Sequence, residues 1–367
     1  MKITISQPAL SALLSDVGPA IAAKGALPIL SHVLLETQGD ALQATGYNHE
    51  LTLSSKAQCR SERDEGLTIE YAKLSKIVSS LPSTSEIALS MDHQRVVLKS
   101  GRSRFTLQTL NAADFPLPVP ANEDAQILTV DGKSFASLIK SVFFAVAVQD
   151  VRFYLCGVLL ELTKSGINAT ATDGHRLACA SMDLNHLLDP AQYIIPQQTV
   201  AALLKMCDGE VTLSLYRNQL RLDAGQRCAV SKLIDGRYPD YQRVIPGRER
   251  HPGRIAVARS GLLEALGRVA ILSNEKHKGI SLSVADSASL VLETANPDGG
   301  EAREELEILD GMPQVCRIGL CYEYLQDALK ATDSEQVILH YGDGGTPLRV
   351  EAVKDNPPIW IIMPMLK

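Results

Sequence analysis

The chain has 367 residues, of which 45% are hydrophobic and 21% are charged, so it is long enough for two or three globular domains. No apolar run reaches the roughly 18 residues that span a bilayer, and the N-terminal residues lack a signal-peptide pattern, so we expect a cytoplasmic protein. The net charge of −6 argues against a nucleic-acid binder held by a broad basic surface. Seven scattered cysteines without a Cys-x-x-Cys pair predict reduced thiols and no zinc site.

One strand–helix–strand pattern recurs three times along the chain. The first copy has strands at 3–5 and 33–36, the second begins at 128–130, and the third begins at 255–257. The matching positions Val33, Val158 and Ile280 lie 125 and then 122 residues apart. A repeat of this period predicts three similar domains. The proline-rich stretches 115–120 and 246–253 are typical of linkers, which predicts domains over 1–120, 121–247 and 248–367.

Each copy also contains a second half with a strand, a helix and further strands. Apolar residues at helical spacing predict helices over 72–81, 134–144, 198–207 and 322–331, and looser patterns predict helices over 8–17 and 261–270. The strands are expected to end near 115–116, 238–239 and 363–364. The sequence therefore predicts an α+β fold, with two helices and an antiparallel sheet in each of three tandem copies. Such tandem copies favour a curved scaffold over a catalytic cleft.

The charges have a weak pattern and a sharper one. The six helical windows carry six basic and four acidic residues, while the rest of the chain has a net negative charge. This small bias fits helices that face the phosphates of a nucleic acid, and it fits solvated helices without a partner equally well. Basic residues of the first copy contrast with glutamates of the third: Arg95, Lys99, Arg102 and Arg104 against Glu301, Glu304, Glu305 and Glu307. Complementary charges at opposite ends predict head-to-tail association. On the residues alone, two unrelated solvated surfaces are the alternative.

Two short segments raise functional alternatives. Asp173 and His175 are the centre of a possible hydrolase, but catalysis needs a nucleophile or metal and an oriented base. No Gly-x-Ser-x-Gly, His-Glu-x-x-His or Walker motif occurs, and Asp-Gly is an ordinary turn sequence. The aromatic pair Phe153 and Tyr154 follows a polar stretch, which suits either stacking on a base or simple packing.

Eight segments together carry a resemblance that runs the whole length of the chain. They are LPIL at 27–30, SGRSRF at 100–105, ADFP at 113–116, QDVR at 149–152, ATDGHRLA at 171–178, DGRYPDY at 235–241, ILSNEK at 271–276 and MPM at 363–365. In this order they resemble the bacterial DNA polymerase III beta-subunit (sliding clamp) family. The resemblance implies a head-to-tail homodimeric ring of DNA-clamp domains, whose helices surround double-stranded DNA.

The resemblance also implies partners and an absence of chemistry. An ATP-driven clamp loader opens and closes the ring, and a pocket in each subunit tethers the replicative polymerase and other proteins that carry a short clamp-binding motif. No catalytic residue, cofactor or metal is implied. The tail Leu366-Lys367 departs from the family pattern, so an altered pocket affinity is expected. A diverged paralogue, from a mobile element or tolerant of a drug, fits the sequence as well as a chromosomal clamp.

The resemblance assigns three sets of residues by position. The DNA contacts are Lys24, Lys73, Gln149, Phe153 and Tyr154. The dimer interface comprises Phe105 and Leu107 against Ile271 and Leu272, flanked by Arg102, Arg104, Glu301 and Glu304. The partner-peptide pocket comprises Leu155, Thr172, Gly174, His175, Arg176, Leu177, Pro239, Arg243, Val244, Tyr324, Ile361, Ile362, Met363, Pro364 and Met365.

Overall fold

A computed structural model describes residues 2–22, 27–118, 124–185, 188–274, 276–285 and 289–365. The chain forms two compact units. Residues 1–133 and 201–233 make the first unit, and residues 134–200 and 234–367 make the second. No helix among the described residues is both long enough and apolar enough to cross a membrane.

All six predicted helices are confirmed to within two residues at each end. The first helix begins after Ser6, whose Oγ accepts the N–H of Ala9, and Pro8 occupies the first turn. Apolar residues of this helix recur at helical spacing and are buried, as the pattern predicts. The α-helices are α1 Gln7–Val17, α2 Tyr71–Ser80, α3 Gly132–Phe143, α4 Gln197–Met206, α5 Arg259–Ala270 and α6 Tyr322–Lys330. Short 3-10 helices are Gly18–Ala20, Pro28–Ser31, Ala112–Asp114, Phe153–Leu155, Tyr241–Val244 and Arg248–Arg250.

Most of the remaining chain is β-strand. In chain order the strands are β1 Lys2–Ser6, β2 His32–Gln38, β3 Ala41–Tyr47, β4 Leu51–Gln58, β5 Arg60–Ser61, β6 Gly66–Glu70, β7 Glu86–Asp92, β8 Arg95–Ser100, β9 Ser103–Gln108, β10 Gln126–Asp131, β11 Gly157–Thr163, β12 Gly166–Thr172, β13 Arg176–Asp183, β14 Ala191–Pro196, β15 Glu210–Leu215, β16 Gln219–Ala224, β17 Arg227–Lys232, β18 Gly253–Ala258, β19 Gly279–Val284, β20 Ser289–Ala295, β21 Glu301–Glu307, β22 Asp310–Met312, β23 Cys316–Cys321, β24 Gln336–Tyr341, β25 Leu348–Ala352 and β26 Ile359–Ile362.

The first unit contains two antiparallel sheets. One has the strand order β5-β1-β7-β8-β9, and the other has the order β10-β15-β16-β17-β4-β3-β2-β6. In the second of these sheets, β17 pairs with β4, with Ala229 opposite Leu53. This pairing joins strands from two different predicted copies, so the sheet continues across the predicted linker near residue 118.

The second unit repeats this arrangement. Its sheets have the orders β14-β11-β12-β13-β26-β25-β24-β18-β22 and β21-β20-β19-β23. Here β13 pairs with β26, with Leu177 opposite Ile361, so strands of the second and third copies again share a sheet. The single tryptophan, Trp360, is 1% exposed, and its indole N–H donates to the carbonyl oxygen of Ser141 at 2.9 Å.

Two predicted strand ends were wrong. The strand expected to reach residues 115–116 ends at Gln108, and the strand expected to reach 238–239 ends at Lys232. Phe115 and Tyr238 are instead buried within the connecting segments, where Phe115 packs against Leu30 and Tyr238 packs against Leu155. Each aromatic residue precedes a proline, which has no backbone N–H and therefore cannot continue a sheet ladder.

Candidate functional site

Residues 172–176 form a tight turn between β12 and β13, called here the braced turn. Groups of this turn hold the carboxylate of Asp173 through hydrogen bonds. Its Oδ1 accepts the backbone N–H groups of His175 at 2.9 Å and Arg176 at 3.0 Å, and its Oδ2 accepts Arg176 Nε at 2.9 Å. Gly174 has φ +92°, a left-handed conformation that favours glycine. The Thr172 hydroxyl donates to the carbonyl oxygen of Arg176 at 2.6 Å. The turn is therefore fixed by its own polar groups, and Asp173 acts as a structural brace.

Arg176 connects this turn to α6. Its Nη1 lies 2.6 Å from Asp327 Oδ2, and its guanidinium carbon lies 4.7 Å from the centroid of the Tyr324 ring. The guanidinium also lies 5.3 Å from the Phe144 ring centroid, so it combines ion pairs with cation–π contacts. The His175 ring stacks on Tyr324 with 6.3 Å between centroids. Three predicted pocket residues, His175, Arg176 and Tyr324, are thus brought together.

The segment after β26 joins the same surface. The N–H of Met363 donates to the carbonyl oxygen of His175 at 2.9 Å, and the N–H of Met365 donates to the carbonyl oxygen of Gly319 at 2.8 Å. Met363 lies beside the braced turn, and 42% of its surface is exposed to solvent. The segment 363–365 therefore links the nine-stranded sheet to the four-stranded sheet within the second unit.

The remaining pocket residues divide into a buried floor and an exposed rim. Leu155, Leu177, Ile361 and Ile362 are buried. Pro239, Arg243 and Val244 are exposed on the segment that crosses from β17 to β18, and Arg243 Nε pairs with Asp240 Oδ2 at 2.7 Å. Among the described residues, no hydrogen bond or ion pair joins Arg243 or Val244 to the 363–365 segment. Pro364 and Met365 are half-buried.

A large groove lies elsewhere on the second unit. It has a volume of about 1080 Å³ on the outer face of the four-stranded sheet, where Glu293, Arg303 and Arg317 line it. Of the predicted pocket residues, only Met365 lines this groove.

The predicted DNA contacts fall in different parts of the molecule. Lys24 lies outside the described residues. Lys73 is exposed on α2 of the first unit and pairs with Glu70. Gln149 is exposed with φ +54°, and Phe153 and Tyr154 contact edge-to-face with ring centroids 5.7 Å apart in the second unit.

Sequence reasoning gave no role of its own to Arg152, which ties the loop before Phe153 to the braced turn. Its Nη2 lies 2.7 Å from Asp150 Oδ2 and 3.0 Å from the carbonyl oxygen of Asp173. The hydrogen bonds from Arg152 lower the pKa of Asp150 to about 2. The Asp-x-Arg spacing at 150–152 was the available sequence signal. Val151, in the same loop, is 96% exposed, and the sequence analysis gave it no role.

The predicted interface residues lie in two regions, one on and beside β9 in the first unit and the other on β21 and just after α5 in the second unit. Phe105 and Leu107 are half-buried on β9, while Arg102 and Arg104 are exposed beside them. Ile271 is 78% exposed just after α5, and Leu272 follows it, half-buried.

Glu304 differs from its acidic neighbours on β21. Its carboxylate pairs with Arg268 of α5, with Nε and Oε1 at 2.8 Å, and the hydrogen bond from Arg268 lowers the pKa of Glu304. The glutamates of β21 without an ion pair in the described structure are Glu301, Glu305 and Glu307. Sequence reasoning grouped Glu304 with the other glutamates of the predicted interface and could not foresee this intrachain pair.

Three family models match the chain in succession. They are the N-terminal domain of the DNA polymerase III beta subunit over residues 1–119, its central domain over 129–240 and its C-terminal domain over 242–366. The chain belongs to the DNA polymerase III beta-subunit family. A beta sliding clamp of Pseudomonas putida is 36% identical, and one of Escherichia coli strain K12 is 33% identical, each with both chains covered completely. A Pseudomonas aeruginosa sliding clamp solved with griselimycin is 35% identical, with a TM-score of 0.94 and complete coverage of both chains.

Membership of the sliding-clamp family decides against the hydrolase alternative raised by Asp173 and His175. The predicted fold of three clamp domains is confirmed, and clamps of this family are processivity factors without catalytic activity. The hydrolase alternative fails for a physical reason as well, because both carboxylate oxygens of Asp173 are held by backbone N–H groups and Arg176. In the described part of the clamp, no group of three or more His, Cys, Asp or Glu side chains is placed to hold a metal ion.

Proposed function

We propose that two copies of this chain form a closed head-to-tail ring around double-stranded DNA and tether DNA-processing proteins to it. One observation carries the proposal: each large sheet joins two strand triplets, and two further triplets of the chain have no partner. In the large sheet of the first unit, the triplet β2-β3-β4 meets the triplet β15-β16-β17 through β4 and β17. In the large sheet of the second unit, β11-β12-β13 meets β24-β25-β26 through β13 and β26.

Two triplets remain without such a partner. They are β19-β20-β21 and β7-β8-β9, which end in β21 and β9, and within the described residues both of these strands are sheet edges. Exposed edges with unpaired backbone groups favour pairing with another chain. Because β9 belongs to the first unit and β21 to the second, pairing of β9 with β21 of a second copy is heterologous, and two such contacts close a ring.

The side chains at these two edges are complementary. Arg104 on β9 is exposed, and Glu301, Glu305 and Glu307 are exposed on β21. On the other face of β9, Phe105 and Leu107 offer an apolar surface, and Ile271 is available after α5. We assign the seam to these residues, with the apolar side chains at its centre and the charges selecting the orientation.

Ring closure accounts for DNA retention by an acidic protein. A closed ring needs no strong phosphate contacts, because DNA leaves only when a seam opens. Lys73 then offsets repulsion from the phosphates, and we assign Lys24 the same role. The loop carrying Gln149, Phe153 and Tyr154 contacts the DNA weakly. Since contacts of this kind act through counterion release, their effect is largest at low salt.

We assign the partner-peptide pocket to the surface around the braced turn. His175, Arg176 and Tyr324 form a polar and aromatic wall, Met363 supplies a flexible apolar side chain, and the buried residues Leu177 and Ile361 lie beneath. Such a surface suits a short peptide with Leu or Phe anchors. A relative of known structure binds griselimycin, which supports a ligand-accepting surface on this fold. We assign the replicative polymerase and the ATP-driven loader as partners, in the cytoplasm at the replisome.

Retention on DNA of different topology tests the ring. The chain is loaded onto nicked circular DNA with an ATP-driven clamp loader, isolated by gel filtration, and the DNA is then cut once. We expect retention on the circle and loss within minutes after linearisation, because a ring slides off a free end. A matched sample, in which tightly bound proteins flank the cutting site on both sides before the cut, should keep the clamp. Equal retention on open linear DNA would contradict encirclement.

A further inference from the structure

We propose that the outer face of the eight-stranded sheet in the first unit holds a second peptide-binding groove, specific for an extended acidic peptide. Antiparallel register places Val230 of β17 opposite Thr52 of β4, and Thr52 opposite Tyr47 of β3. Alternate residues of a strand share a face, so Lys56 lies on the same face of the sheet as Thr52. Ser55 lies on the other face, where its hydroxyl donates to Asp16 of α1. The seam between β4 and β17 therefore has one face toward α1 and one away from it.

Two hollows lie along this outward face. Their volumes are about 510 Å³ and 450 Å³, and Thr52, Val230, Leu117 and Pro118 line both. The chain segment at 117–118 thus runs beside both hollows, and Leu117 is 56% exposed. Hollows of this size accept side chains of a ligand.

The position within the fold matches that of the proposed peptide pocket in the second unit. There, β13 and β26 form the seam between two triplets, and the segment carrying Tyr238 follows the sheet. In the first unit, β4 and β17 form the seam, and the segment carrying Phe115 leads to Leu117. The groove has different residues, so it is a separate site with its own ligand, and it does not depend on the pocket assignment.

The charges on this groove select an acidic ligand. Lys232 and Lys56 are exposed at opposite ends of the seam, since the Lys232 N–H donates to Glu50 O and the Lys56 N–H donates to Gln226 O. Neither lysine forms an ion pair with any residue in the described ranges, whereas Arg221 in the same groove is paired with Asp223 at 2.6 Å. Six residues of strand separate the two ends, a span of about 20 Å at about 3.3 Å per residue. An extended peptide of about six residues with an acidic side chain near each end matches this span.

The centre of the groove has one unsatisfied polar group. Thr52 is 8% exposed, and its hydroxyl has no hydrogen-bond partner among the residues that the structure describes. A buried hydroxyl without a partner destabilises a folded protein. The Thr52 oxygen is closed to solvent, so a ligand group bonds it only when the side chain rotates toward the groove, and that bond then offsets the cost of leaving the hydroxyl unpaired. A peptide backbone supplies both donors and acceptors at this position, and Leu117 and Val230 offer apolar contact to a small side chain. DNA fits less well, because Glu50 lies opposite Lys232 and lines the same hollow, where its carboxylate disfavours a continuous run of phosphates.

A selection from labelled random hexapeptides tests the proposal on the full-length protein. We expect enrichment of sequences with Asp or Glu near both ends, bound with an affinity that falls at least tenfold in the double variant Lys56→Glu and Lys232→Glu. A matched charge reversal at exposed lysines of the second unit, Lys164→Glu and Lys354→Glu, should change affinity less than twofold. Fluorescence anisotropy of the selected peptides gives all three dissociation constants.

Two further variants separate this groove from the other site and from simple unfolding. Thr52→Val removes the hydroxyl while keeping the shape, so peptide affinity should fall with an unchanged circular-dichroism spectrum. Met363→Ala, in the proposed pocket, should leave binding of these peptides unchanged. Selected peptides without acidic preference, equal affinity in the Lys56/Lys232 variant, or displacement by duplex DNA would each overturn the proposal.

Discussion

The side chain of Ile271 offers the sharpest test of the ring seam. It is 78% exposed in the single chain, so nearly all of its apolar surface is available for burial at an interface. Ile271→Ala removes three carbons, worth about 0.8 kcal/mol each when buried, and scaling by the exposed fraction gives about 2 kcal/mol per seam. Two seams close one ring, so the dimer loses about 4 kcal/mol, or roughly a thousandfold in dissociation constant at 1.4 kcal/mol per tenfold.

Sedimentation velocity across a concentration series measures this change directly. The wild-type chain should remain dimeric well below the concentration at which the variant becomes monomeric, with identical circular-dichroism spectra. Val315→Ala is the matched control, because Val315 is 82% exposed but lies between β22 and β23, away from the proposed seam. If Ile271→Ala and Val315→Ala have the same dissociation constant as wild type, Ile271 is not at the interface.

Two further predictions concern the pocket and the response to acid. Met363→Ala and Met365→Ala keep the backbone hydrogen bonds to His175 and Gly319, so the fold should persist while binding of a labelled polymerase-derived peptide weakens about tenfold in anisotropy titrations; unchanged affinity would move the pocket elsewhere. The hydrogen bond from His340 and the charge of Arg349 lower the pKa of Glu351 to about 2. The ionised Glu351 side chain therefore stabilises the folded protein at a pH above about 4.3, the pKa of an unfolded glutamate. This stabilisation is lost as the pH falls toward 2. Thermal melts between pH 7 and pH 3 should therefore show a smaller loss of stability for Glu351→Gln than for wild type, and parallel curves would argue against the ion pair.

The helices were predictable because their stabilisation is local and periodic. Leu74 and Val78 are both buried on α2, four residues apart, and the same rule identified the other windows. The strand ends were harder to predict, because Phe115 and Tyr238 are apolar residues that read as strand but pack within connections. Apolar character alone does not distinguish a residue at the end of a strand from one that is buried in a connecting segment.

The candidate site was predictable as a set of segments but not as a set of contacts. The Asp-Gly turn at 173–174 was recognised from its residue types, and its brace by Arg176 follows from a spacing of three residues. The partner Asp327 lies 151 positions further along the chain, and no local pattern could identify it. The same holds for Glu304, whose charge is satisfied by Arg268 through packing of α5 on β21.

The pairing of β17 with β4 means that the covalent and the structural limits of a repeat do not coincide. A fragment that stops after residue 118 would keep β2, β3 and β4 but would leave the ladder of β4 without its neighbour from Arg227–Lys232. A bare, apolar edge invites association between copies, and Leu53 would also lose Ala229, its neighbour on the adjacent strand. Expression of single repeats should therefore yield insoluble material, whereas a piece that keeps residues 1–133 together with 201–233 leaves the ladder between β4 and β17 complete. For this molecule, the smallest piece able to fold alone is set by its sheets and not by its linkers.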